Sequence, residues 1–207
     1  MDVIVDQEAI VLAQGSSDVL DALAAASQSL RARGRAVLAV RLDGEAIPPE
    51  EVGDRLRGMA LSEAAELAVT SEEIAVLVDE CLKELEALLP ELPKVCHNLA
   101  EEFQGERPEA GYEPFHQFAE IWQTVKEREI MVTNALDLDL DALGIKGAPL
   151  AQMHRELNKI LGEAAEAIKM GDCVLLGDLL EYELAPRAEA EMAIVAVLRE
   201  RAEGRRP

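Results

Sequence analysis

The stretch 65–89, "AELAVTSEEIAVLVDECLKELEALL", changes its period in the middle, and that change decides the fold. Up to Ser71, "AELAVTS" reads as a short strand. Beyond Ser71 the apolar residues fall at Ile74, Leu77, Val78, Leu82, Leu85 and Leu89, one stripe of a helix that opens with a capping arrangement at Ser71. Strand-like alternation before this point and helical stripes after it predict an α+β protein. The expected domains are residues 1–71 (α+β) and 72–207 (helical), and Thr70–Glu72 is too short to read as a flexible linker.

Upstream, "DVIVDQEAIVL" gives two β-rich runs around a polar turn at Asp6–Glu8. "QGSS" supplies a breaker, and Ser16 or Ser17 is the expected cap of a helix carrying Val19, Leu20, Leu23, Ser27 and Leu30 and stopping at Gly34. "AVLAVRLDGEAI" alternates and contains Asp43-Gly44, the strongest hairpin signal in the chain. "PPEEVGDRLRG" predicts a short helical turn with proline at its start. The order is strand, strand, helix, strand, strand, short helix, strand. In that order residues 1–71 resemble the β-grasp, or ubiquitin-like, fold. Sulfur carriers and conjugating proteins of that fold need a C-terminal Gly-Gly, whereas this sequence ends "EGRRP". Its ferredoxins need four thiolates, and no Cys precedes Cys81. An adaptor role remains.

Downstream, Pro90 and Pro93 interrupt the first helix and "QGERPEAG" is a loop. "EPFHQFAEIWQTVKEREIMVTNAL" predicts a long helix with a stripe of Phe115, Phe118, Ile121 or Trp122, Val125 and Ile130. Two more helices flank Gly171-Asp172, glycine fitting a left-handed position and aspartate the next cap. So short a turn makes them antiparallel neighbours, and the expected architecture is an antiparallel bundle of about four helices.

Nearly half of the 207 residues are apolar (49%) and 3% are aromatic, so Ala, Leu and Val must do the packing. A net charge of −21 repels phosphate backbones and anionic headgroups, which argues against nucleic acid and membrane surfaces as partners. The basic patches Arg31/Arg33/Arg35 and Arg199/Arg201/Arg205/Arg206 do not overturn that; the latter suits a helix C-terminus or a solvated tail. The first residues lack the basic start of a signal peptide, and three cysteines make no disulfide framework. A cytoplasmic chain with reduced thiols is expected.

The motifs that carry chemistry each fall short. On a helix, Asp178 and Glu181 share a face, and pairing the last two helices sets them opposite Ala164 or Ala165 and Leu161, with no cation or metal ligand nearby. Pro186 removes the amide that would bond the Tyr182 carbonyl, so a bend is expected there, with Tyr182 buried and its hydroxyl on a polar partner. Glu113-Pro-Phe-His116 matches the Glu-x-x-His of di-iron bundles, but neither His97 nor His154 supplies the required second pair. Asp137, Asp139 and Asp141 mimic a calcium loop that then fails at Ala142 and Ala148, leaving an inter-helix strap. Cys96-His97 completes no triad, and no glycine-rich phosphate loop occurs. Trp122 belongs to the core, or marks a partner groove if exposed.

"GDCVLLGDLLEYELAP", 171–186, resembles a signature of a family of uncharacterised bacterial proteins, of the type G-D-x-V-L-L-x-D-L-L-E-Y-E-L-x-P, and "VRLDGEAI" is similar to the same family. That resemblance implies a bacterial cytoplasmic protein and no catalytic residues. The helical half also resembles, in acidity and size, the export chaperones that bind cargo helices. The expected function is therefore non-enzymatic: an adaptor, scaffold or chaperone-like module without cofactor or metal. It would bind a protein partner or a second copy through an apolar bundle face lined by Met131, Met153 and Met170, with Trp122, Asp178, Glu181, Tyr182 and Pro186 in interaction or structural roles. The rival is a carboxylate-rich metal enzyme that gathers several of Glu113, His116, Glu120, Asp178 and Glu181 inside the helices. On the favoured view the acids face water separately and aliphatic side chains alone hold the helices together; three or more ionisable groups gathered around one buried point would instead make the bundle a reaction chamber.

Overall fold

A computed structural model describes residues 1–10, 16–145 and 147–204. Val11–Leu12 of the second run, Gln14–Gly15 of "QGSS", Lys146 of the strap and Arg205–Arg206 of the tail lie outside the described residues. The chain is α+β, a five-stranded sheet at its N-terminus followed by helices. It divides into two compact units, Met1–Leu77 and Val78–Pro207. Among the described residues no helix is long and apolar enough to cross a membrane.

In the first unit β1 (Asp2–Val5) and β2 (Glu8–Ile10) form a hairpin whose turn places Asp6 and Gln7 at φ 50° and 71°. Helix α1 (Val19–Arg31) follows, then β3 (Arg35–Leu42) and β4 (Glu45–Ile47). Asp43-Gly44 closes that hairpin at φ 50° and 84°, the primed turn that matches strand twist. A short helix α2 (Val52–Leu56) leads to β5 (Glu66–Glu73). The sheet order is β2-β1-β5-β3-β4, with β5 parallel to β1 and antiparallel to β3. Val19, Ala22, Leu23 and Leu30 of α1 join Val3, Val40, Leu42, Leu67 and Val69 of the sheet in one core.

Two expected caps are corrected. Asp18 caps α1, accepting from the Asp21 amide at 2.8 Å, while Ser17 spends its hydroxyl on the Asp21 carboxylate. Ser71 lies inside β5, because its hydroxyl has a tertiary use: it donates to Asp6 Oδ2 at 2.5 Å and accepts from Arg35 Nε at 2.7 Å. The strand runs on to Glu73, and the helix starts at Ile74, whose amide donates to the Gly34 carbonyl at 2.8 Å.

The helical part contains α3 (Ile74–Leu88), a 3₁₀ turn at Leu89–Glu91, α4 (Leu92–Phe103) and α5 (Tyr112–Ala135). A two-residue ladder, β6 (Gly144–Ile145) with β7 (Ala148–Pro149), precedes α6 (Leu150–Met170). Pro90 sits in the 3₁₀ turn and Pro93 in the first turn of α4, where a missing amide costs little. Gly171 is left-handed at φ 69°, and the Asp172 carboxylate accepts from the Leu175 amide at 3.0 Å. Beyond it α7 (Cys173–Asp178) passes into a π-helical segment, Leu179–Leu184, and then α8 (Ala185–Glu203). Phe103, Phe115, Phe118 and Trp122 form a chain of tilted and edge-on rings with centroids 6.0–6.3 Å apart. Arg199 is no tail residue. Its guanidinium ties α8 to α3, with Nε and Nη2 both 2.9 Å from the Glu86 carboxylate and Nη1 2.6 Å from Asp79.

Candidate functional site: a buried charge network in the helices

The buried stripe of α5 is Phe115, Phe118, Trp122, Val125, Glu129, Val132, with Leu136 just beyond the helix. Its spacing of three and four is what a helix packed on neighbours requires, and it passes through a glutamate. Ile130, the expected core residue, is exposed instead. The same happens along the last helix, where Leu184, Ala188, Glu191, Val195 and Leu198 are buried in series. Glu129 and Glu191 are both 0% exposed. The expectation that every acid faces water is therefore wrong: helical phase, not hydrophobicity, sets which residues turn inward.

Two cations and an imidazole, from three helices, meet these two carboxylates. Lys126, one turn before Glu129 on α5, donates through Nζ to Glu129 Oε2 at 2.9 Å and to Glu191 Oε2 at 2.6 Å. Arg187, one turn before Glu191 on α8, donates through Nε to Glu191 Oε1 at 2.8 Å. His154 of α6 places Nε2 2.9 Å from Glu129 Oε2. Lys126 Nζ also lies 5.6 Å from the centre of the Trp122 ring, a cation–π distance. Trp122 is fully buried, as expected, but it floors a polar network rather than a purely aliphatic core.

Burial sets the protonation states. It pushes the Glu191 carboxyl up to about 7, helped by the charge of Glu129 and a hydrogen bond to it, against the pull of Lys126 and Arg187. Burial also pulls His154 down to about 4, with Lys126 adding to that effect. A neutral His154 makes Nε2 the donor to Glu129. Burial thus poises Glu191 to take up a proton near neutral pH. Trp122 Nε1, Glu129 Oε1 and Arg187 Nη2 are buried polar atoms with no hydrogen-bond partner among the described residues. Among those residues no three His, Cys, Asp or Glu side chains converge as a metal-ligand set, and the Lys126 ammonium stands between the two carboxylates where a cation would be held.

Trp122 apart, the residues singled out from sequence lie outside this network. Glu113, His116 and Glu120 are exposed on α5. Asp178 is exposed, its Oδ1 3.5 Å from Gln104 Nε2. Glu181 does not face Leu161: it reaches His97 of α4, Oε2 to Nδ1 2.7 Å. Tyr182 is 70% exposed rather than buried. Pro186 lies in the first turn of α8, and the chain meets its missing amide by widening into the π segment, where the Ala185 amide donates to the Leu180 carbonyl five residues back. Met131 and Met170 are exposed while Met153 is buried, so the three do not line one open face. Carrying the stripe of Phe118, Trp122 and Val125 one step further lands on Glu129, and the same count from Leu184 lands on Glu191.

Residues 80–192, more than half of the chain and including every member of the network, match a domain of unknown function, DUF8042. The chain is also similar to an uncharacterized protein of Treponema pallidum (strain Nichols), 49% identical over 49 residues. Those residues are 23% of this chain and 24% of that protein, so the match spans about a quarter of the relative's length. No solved structure matches the chain.

Proposed function

The chain belongs to the DUF8042 family through residues 80–192, and from that premise we propose that it is a non-enzymatic protein-interaction module that engages a basic protein partner. The observation that carries this is a run of exposed apolar side chains on the helical unit: Met170 (80% exposed), Val174 (67%), Leu175 (43%) and Tyr182. A surface with a net charge of −21 steers such a module toward cationic partners. The buried network ties helices of that unit together: Lys126 of α5 bonds Glu191 of α8, and neutral His154 of α6 bonds Glu129 of α5.

In the same proposal the N-terminal unit is a β-grasp domain acting as an adaptor, supported by the 2-1-5-3-4 strand order and the parallel pairing of the first and last strands. "GDCVLLGDLLEYELAP" would be the family signature, supported by its place inside the matched residues. A bacterial, cytoplasmic setting is supported by the Treponema relative and by the packing of Cys81 and Cys96 as thiols in the core. The test is affinity capture with the tagged full chain in the host extract, followed by light scattering. A basic protein retained in stoichiometric amount is the expected result. A monomer that retains no protein overturns the proposal.

A carboxylate-rich metal enzyme is the second reading, favoured by the two buried glutamates. Lys126 already bonds both and Arg187 bonds Glu191, while Glu113, His116, Glu120, Asp178 and Glu181 are dispersed. Stoichiometric iron, manganese or zinc in the purified protein would restore it.

A further inference from the structure

We propose that the outward face of α7 and the π segment docks a cationic amphipathic helix; the proposal rests on the interaction reading above and assigns it a surface. Leu176, Leu179, Leu180 and Leu184 turn inward and are buried. That leaves Val174, Leu175 and Tyr182 outward, over nine residues and so about 12 Å of helix, the reach of two turns of a partner. Winding the chain wider at Leu179–Leu184 keeps Tyr182 and Glu183 both outward while Leu180 and Leu184 stay in the core.

Charge identifies the occupant. Between Met170 and Pro186 the sequence holds four carboxylates, Asp172, Asp178, Glu181 and Glu183, and no Lys or Arg. His97 engages Glu181, Asp172 caps α7 and Asp178 meets Gln104, yet Asp172, Asp178 and Glu183 are all exposed and no Lys or Arg salt bridge to them forms among the described residues. A second copy would bring like charges together, and a nucleic acid would bring phosphates, so both are disfavoured. A helix with Leu-like residues at i, i+3, i+4 and i+7, flanked by Lys or Arg, satisfies both parts of the face.

The experiment uses the full chain and a labelled synthetic Lys/Leu peptide of about 18 residues with that apolar stripe, followed by fluorescence anisotropy in about 150 mM salt, where long-range attraction is screened. The comparison peptides are a scramble of the same composition and the version with Glu in place of Lys. Saturable binding of the striped cationic peptide is expected, with neither comparison peptide bound comparably. L175S/Y182S, which changes no charge and no buried residue, is expected to weaken binding about tenfold or more. I130S, at an exposed apolar site on α5, should leave it within about twofold, and circular dichroism should show all variants folded. Equal binding of the scramble, no binding at all, or unchanged affinity in L175S/Y182S overturns the proposal. Should any of these occur while affinity capture still retains a basic partner, this surface falls and the interaction reading stands; should capture fail too, both fall.

Discussion

Glu191 and His154 belong to the same network and titrate in opposite senses. Glu191 has a folded-state pKa of about 7, above its ordinary value, so its contribution to stability is fully present below about 4.5 and is lost as pH rises through 7. His154 has a folded-state pKa of about 4, below its ordinary value, so its contribution is present above about 6.5 and is lost as pH falls toward 4. Each shift is worth on the order of 3 kcal/mol, and between about pH 4.5 and 6.5 the two slopes oppose and largely offset each other. Removing one partner should expose the other. E191Q is expected to lose stability as pH falls from 6.5, and H154Q to lose it as pH rises from 4.5 to 7. Urea titrations at half-unit pH steps read both slopes against wild type. The lowered carboxyls of Asp6, Asp21 and Asp79, which weaken every variant in acid, cancel in those differences. Slopes of the same sign in the two variants would show that one of the two groups is shifted in the other direction.

At the scale of elements, the entry to α5 depends on a glycine for reasons of space. A Cβ at Gly111 would stand 2.9–3.2 Å from three ring carbons of Phe103, which is buried and held edge-on by Phe115. Unlike the Gln104 side chain that faces Gly177, that ring has no free end to swing away. G111A is expected to destabilise by about 1–3 kcal/mol in denaturant titration, and G177A by less. Neither contact could be read from sequence, because each joins residues on different elements. What periodicity does reveal is local: the Asp43-Gly44 hairpin, the Gly171-Asp172 turn and the change of period near Ser71 all fall where φ, capping and spacing require. Ser71 and Tyr182 were misplaced because a hydroxyl taken up by Asp6 and Arg35, and a helix widened ahead of Pro186, depend on partners beyond any short window. Glu129 and Glu191 are a different case. Their positions were legible from helical phase, and only the habit of assigning acids to water concealed them.

For the whole molecule, self-repulsion is the term that salt addresses. Forty-one acidic side chains face twenty basic ones, and folding concentrates the surplus onto one surface. Added salt also weakens the exposed pairs, such as Lys83 with Asp79 and Arg128 with Glu84, but pairs of that kind contribute only about 0–1 kcal/mol each. The Lys126 bonds to Glu129 and Glu191 are shielded by burial and are screened much less. Repulsion among many unpaired carboxylates should therefore dominate the salt dependence. Raising sodium chloride from about 0.02 to 0.5 M shortens the screening length from about 20 Å to under 5 Å, and a relief of about 2 kcal/mol would raise Tm by about 4–8 °C in a chain of this size. Calorimetry at pH 7.5 across that range reads the effect directly. A Tm that falls with salt would mean that ion pairs, not burial, hold the helices against their own charge.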